Sequence, residues 1–171
     1  MLFRSMDIAA RGYINQDLLW SPETLQKRLG QSGLAIIDTR SAEMFAKGRI
    51  PGARHFDLYC VNTDDTDPAP LASFTRMWAD LLGWRGVRES DTIVFSGEFT
   101  DYCVAQGFWF AEYLGHGDVH VLDGGIAAWS AAGLAVDTEG DPPKPVKFVF
   151  NPVEETVATY SSILDAIDDP D

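Results

Sequence analysis

The sequence predicts an α/β fold: a central, mostly parallel sheet with helices on both faces. Three short runs, 34–37 (LAII), 92–95 (TIVF) and 119–122 (VHVL), have the β-branched and aromatic makeup of fully buried strands. Segments of helical period lie before, between and after them, closed by Gly30, Gly83, Gly115 and Gly133. Strands that alternate with helices in this way pair in parallel, because each return crossing of the sheet is made by a helix.

Residues 1–16 carry no clear period and read as an N-terminal arm. Leu18, Leu19 and Trp20 lead into Ser21, Pro22 and Glu23, which are an N-cap, a first-turn proline and a first-turn acid in succession. The helix they start runs through Leu25 and Leu29 and ends near Gly30. After the strand at 34–37 come Asp38, Thr39 and Arg40, then one helical turn at 43–46, stopped before Gly48. Residue 50 is held extended by Pro51, and 55–58 reads as a further short strand. The acidic, proline-punctuated stretch 61–71 (VNTDDTDPAPL) reads as a surface loop. Ser73 then caps an amphipathic helix with Phe74, Met77, Trp78, Leu81 and Leu82 on its core face.

The stretch 92–115 organises the rest. A buried strand ends at a loop, 96–102 (SGEFTDY), and the loop feeds a helix. In an open α/β sheet, ligands collect at such a strand end, where loop N–H groups and a helix N-terminus converge. Two other segments share the strand-end position: Asp38 with Arg40, and VLDGG, in which Asp123 is placed to cap the helix at 126–132 and Gly124 and Gly125 permit a tight turn. Asp38 with Arg40 reads as a structural ion pair ahead of a catalytic one, and a double glycine proves nothing about phosphate.

Composition narrows the function classes. At 171 residues there is room for one domain with a real core, and 46% hydrophobic residues exclude wholesale disorder. A formal charge of −13 argues against nucleic acid or an anionic membrane as a partner. Two cysteines, Cys60 and Cys103, are too few for a disulfide scaffold, and with His55, His116 and His120 they form no metal-ligand spacing; no cofactor is expected. The N-terminus is too polar for a signal peptide and no run reaches membrane-span length, so a cytoplasmic setting is expected.

The tail carries a weak internal echo. After 141–145 (DPPKP) and a possible strand at 147–150, Val157, Thr159, Ile163 and Ile167 repeat the spacing of Leu19, Ser21, Leu25 and Leu29. The alternatives are the opening helix of a second, truncated copy and a C-terminal helix folded back on its own domain. On either view the stretch from Asp165 is expected to fray without a partner.

DTRSAEMFAKGRIPGA, the loop after IVF, and VLDGGIAAW, in this order, resemble the rhodanese family of sulfurtransferases over roughly residues 18–137. Arg49 stands where the family more often has histidine. The long segment after RIPGA and the tail FNPVEETVATYSSILDAIDD resemble the N-terminal half and interdomain linker of two-domain thiosulfate or 3-mercaptopyruvate sulfurtransferases. The resemblance implies a rhodanese-like domain at 17–140, with 141–171 as linker and start of a second, truncated repeat.

In an active rhodanese domain a cysteine at the top of the central strand accepts sulfane sulfur as a persulfide. Here that place falls to Ser96, or to Glu98 when helix lengths are matched backward from Gly115, and the loop is about two residues longer than the active pattern. Asp38, Arg40, Gly52, Asp123, Gly124, Gly125 and Trp129 are then motif residues of the scaffold. Cys103, at the start of the following helix, is a weak candidate nucleophile set against a packing role; Cys60 reads as packing. The expected function is that of a non-catalytic N-terminal domain whose partner is a second rhodanese domain, with a small sulfur donor as substrate of the complete protein. The alternatives are a stand-alone inactive module for protein interaction and a redox protein using Cys103.

Overall fold

A computed structural model describes residues 8–167. Five parallel strands form one sheet in the order β1-β5-β4-β2-β3: β1 (Leu19–Trp20), β2 (Leu34–Asp38), β3 (Arg54–His55), β4 (Thr92–Ser96) and β5 (Val119–Leu122). The central pair β2 and β4 is in register from Leu34 opposite Thr92 to Asp38 opposite Ser96. Helices α1 (Pro22–Gln26), α2 (Ala42–Lys47), α3 (Pro68–Trp84), α4 (Tyr102–Tyr113) and α5 (Gly125–Ala131) form the crossovers and cover, and α6 (Tyr160–Ala166) follows the linker.

The period of two along the central strands divides the core into two layers. Ala35 and Ile37 of β2 and Ile93 and Phe95 of β4 face α3 and α4, packing with Trp78, Leu82, Val104 and Phe110. Ile36 and Val94 face the other way, toward Leu25, Ile126 and Trp129 of α1 and α5. With both faces buried, the middle of β2 and of β4 is apolar on both sides, which is why these short runs were legible as strands.

Several elements differ from expectation. Leu19–Trp20 is an edge strand on β5, not merely a lead-in to α1. The cap at Ser21 forms, its side chain accepting from the Thr24 amide, but α1 closes at Gln26 and continues as turns, with Leu29 packed beyond it. The 55–58 strand is shorter and earlier, at Arg54–His55. Helix α3 begins at Pro68 inside the expected loop, and Ser73 is interior, its hydroxyl donating to the Ala69 carbonyl. Pro68 and Pro70 read as loop punctuation, yet proline suits a first helical turn, where its missing N–H has no intrahelical partner. Met77, expected on the core face, is 40% exposed.

The expected strand at 147–150 is irregular but docked. Val146 N–H donates to the Gly83 carbonyl, Asn151 N–H to Leu114 and Val153 N–H to Tyr113, while Phe148 is buried. Three glycines admit this approach: a Cβ on Gly83, Gly86 or Gly115 would collide with the carbonyls of Val146, Lys144 and Asn151. Helix α6 starts at the expected cap, Thr159 accepting from Ser162 N–H, and buries none of its residues. Residues 1–7 of the arm and 168–171, most of the stretch expected to fray, lie outside the described residues.

Gly107 fixes how closely α4 lies on the sheet. A Cβ there would stand 2.5 Å from Phe95 Cε1 and 2.9 Å from Leu58 Cδ1. Alanine ordinarily stabilises a helix interior by about 1 kcal/mol over glycine, whereas overpacking a core costs roughly 1–3 kcal/mol. Gly107→Ala is therefore expected to destabilise the fold by about 1–2 kcal/mol in chemical denaturation; a gain in stability would show that the helix floats free of Phe95.

Candidate functional site

Because the sheet is parallel, the C-terminal ends of β2, β4 and β5 bring Asp38–Arg40, the 96–101 loop and Asp123–Gly125 to one edge. Asp38 and Arg40 form the ion pair the sequence suggested. Arg40 Nε donates to Asp38 Oδ1 at 2.9 Å and Nη2 to Oδ2 at 2.7 Å, and the Arg40 backbone N–H adds a third bond to Oδ1 at 3.1 Å. The same guanidinium donates to the Gly48 carbonyl at 2.7 Å and to Glu98 Oε2 at 3.4 Å. Burial alone would lower its pKa, but the bonds and charge of Asp38, helped by Glu98, hold it above the ordinary value. His55 Nε2 lies 2.8 Å from the Arg40 carbonyl oxygen. Gly52, at φ +78°, completes the Pro51–Gly52 turn that Ala53 N–H closes onto the Ile50 carbonyl.

Ser96 ends β4 with its side chain buried and its hydroxyl directed at the neighbouring Gly97 carbonyl, 3.5 Å away. The Ser96 carbonyl accepts from Thr39 N–H and more loosely from its hydroxyl. Beyond it the loop turns its carbonyls toward α5: Ile126 N–H donates to Gly97 O at 3.0 Å and Ala127 N–H to Glu98 O at 3.1 Å. At the other end, Asp101 caps α4, its carboxylate accepting from Val104 N–H at 3.1 Å. The helix N-terminus expected to receive a ligand anion is thus occupied by a carboxylate of its own chain.

Asp123 does not cap α5, a position held by Gly124. Its carboxylate binds Arg11 of the arm through both oxygens, at 2.9 and 2.6 Å, and Gly124 N–H donates to Thr100 Oγ1. Trp129 is a core residue whose indole N–H reaches the Ala135 carbonyl at 2.8 Å. Arg11 was missed because residues 1–16 show no period; only a contact between distant parts of the chain gives it a role.

The cysteines are arranged in a way the sequence does not suggest. Cys103 lies in the first turn of α4, buried. Burial is the main cause of a thiol pKa raised above the ordinary value; the neighbouring Tyr102 side chain opposes the rise, and Asp101 and Asp57 add to it. Cys60, read as packing, is exposed, and lines with Cys103 a cleft of about 580 Å³ that also includes Arg40, Asp57, Tyr59, Asp101 and Tyr102. Among the described residues there is no group of three or more His, Cys, Asp or Glu that could hold a metal ion. Among them, too, no helix is long and apolar enough to cross a membrane.

The rhodanese-like domain model matches residues 21–132, well over half of the chain. This chain belongs to the rhodanese-like domain family. The SseA protein of Mycobacterium leprae is 32% identical over 121 residues, covering 70% of this chain and 40% of its own. The thiosulfate sulfurtransferase of Pseudomonas aeruginosa is 31% identical over 122 residues, 71% of this chain and 45% of that protein. This rhodanese domain therefore spans less than half the length of either relative. The fold matches that of the 3-mercaptopyruvate sulfurtransferase SseA from Escherichia coli, with TM-score 0.76 at 21% identity over 87% of this chain and 62% of that one.

Two outcomes check the site. Asp38→Asn leaves a buried guanidinium short of its carboxylate, and a loss of about 3 kcal/mol is expected in urea denaturation; a change near zero would show that Gly48 and Glu98 suffice. In a Cys60→Ser protein, alkylation of Cys103 should reach half its maximal rate above the ordinary thiol value of about 8.5. A midpoint below that value would mean the helix N-terminus outweighs burial.

Proposed function

We propose that this chain is a non-catalytic rhodanese domain, equivalent to the N-terminal half of a tandem sulfurtransferase, working beside a second rhodanese domain that holds the nucleophile. The observation that carries this reading is Ser96. Sulfane sulfur transfer begins with a thiolate attacking sulfur to form a sulfur–sulfur bond, and a buried serine hydroxyl turned to its neighbour's carbonyl can form no such bond. The carboxylates of Glu98 and Asp101 at the loop would oppose a thiolate there in any case.

In this reading the domain shapes one wall of a cleft and presents contacts to the second domain. The complete protein moves sulfur from thiosulfate or 3-mercaptopyruvate to a thiol or cyanide in a reducing cytoplasm. Support comes from α6, which repeats the capping of α1: Leu25 in α1 is fully buried, whereas Ile163, four residues after Thr159 as Leu25 is after Ser21, is 54% exposed. Tyr160, Leu164 and Ile167 are exposed with it, an apolar surface suited to a further sheet.

A stand-alone inactive module for protein interaction is the second reading. It is favoured by the docking of 146–157 on the domain's own surface, including the bond from Trp109 Nε1 to the Thr156 carbonyl. The exposure of α6 counts against it.

Thiosulfate or 3-mercaptopyruvate supplied with cyanide or a thiol acceptor should give no turnover with this chain alone. Turnover that disappears in Cys103→Ser would overturn the reading.

A further inference from the structure

The two cysteines, distant in sequence, line one cleft beside the strand ends. Each follows a tyrosine, and the tyrosines hold the two dipeptides against each other: Tyr102 Oη donates to the Tyr59 carbonyl at 3.2 Å, and the rings meet edge-on with centroids 6.0 Å apart. Cys103 lies on the fixed wall, in the first turn of α4. Cys60 lies on the other, in an exposed turn outside every helix and strand. Both line the same cleft.

We propose that Cys60 and Cys103 close a reversible intramolecular disulfide when the protein meets a hydroperoxide, making this cleft, which adjoins the 96–101 loop at Asp101, a redox modification site. Cys60, the accessible thiol, attacks the peroxide first. Its sulfur takes one oxygen as the O–O bond breaks, the other oxygen leaves as water, and the sulfur is oxidised by two electrons to a sulfenic acid. Cys103 sulfur then attacks Cys60 sulfur: the S–S bond forms, the S–O bond breaks, and the departing hydroxide takes the Cys103 proton as a second water. Two thiols and one hydrogen peroxide thus give one disulfide and two waters.

Exposure sets the order of events. Cys103 is 7% exposed, so it is shielded from the oxidant and is left to resolve the sulfenic acid formed at the exposed Cys60. The 59–60 turn lies outside any strand ladder, so bringing Cys60 into disulfide geometry breaks no sheet hydrogen bond. Closure ties the chain after β3 to the start of α4, across a loop that contains α3 and β4, and constrains the unfolded chain accordingly. None of this depends on the nature of the residue at position 96.

The test treats the 171-residue chain with a small excess of hydrogen peroxide, alkylates it with N-ethylmaleimide in denaturant, and reads intact mass and unreduced peptide maps. Both thiols should be lost together in a monomer lighter by two hydrogens, with one peptide pair joining Cys60 to Cys103 and both thiols restored by dithiothreitol. Cys60→Ser should leave Cys103 fully alkylated, and Cys103→Ala should carry Cys60 on to sulfinic acid. Sulfinic acid at Cys60 of the unaltered chain with Cys103 still alkylated, or dimers linked through Cys60, would overturn the proposal. The decisive reading is on the unaltered chain, so a Cys103→Ala protein that fails to fold does not weaken it.

Discussion

The strand-end edge of this domain is organised by the bonds from Ile126 and Ala127 N–H to the carbonyls of Gly97 and Glu98. They tie the loop after the central strand to the first turn of α5, and they require Gly125, at φ +57°, where any Cβ would run into the Gly97 carbonyl. The loop carbonyls of Gly97 and Glu98 are thus committed to α5, the Asp101 carboxylate to α4, and Asp38 and Glu98 to Arg40, so these acceptors are taken up by donors of the same chain. Between these contacts Ser96 ends β4, buried, with its hydroxyl directed at the Gly97 carbonyl.

The sequence made the centre of the fold readable and left its margins obscure. Strands β2, β4 and β5 are buried on both faces, so their apolar runs needed no tertiary information. Leu19–Trp20 is too short to show a period, and its strand character comes from pairing with β5. The start of α3 was hidden because Pro68 and Pro70 carry two opposite meanings, loop punctuation and a permitted first turn. The Asp38–Arg40 pair could be anticipated from neighbours two residues apart. The Arg11–Asp123 pair and the cleft shared by Cys60 and Cys103 could not, because each joins segments that only the fold brings together.

The segment after the domain was legible in kind but not in behaviour. Its capping pattern at Thr159 forms as the sequence indicated, yet the stretch read as a possible strand at 147–150 is irregular chain whose bonds go to Gly83, Leu114 and Tyr113 instead of to a sheet. Gly83 and Gly115, read in the sequence as helix stops, are together with Gly86 the contact surface on which this segment lies. Helix α6, projecting from it with an exposed apolar face, is the feature on which the proposed second domain most depends.

The central claim is that the strand-end edge is a scaffold without a nucleophile for sulfur. The most direct measurement is the intact mass of the reduced chain after incubation with thiosulfate or 3-mercaptopyruvate and removal of the donor. The account predicts an unchanged mass; a stable gain of one sulfur atom, mapped to Cys103 at the start of α4, would contradict it.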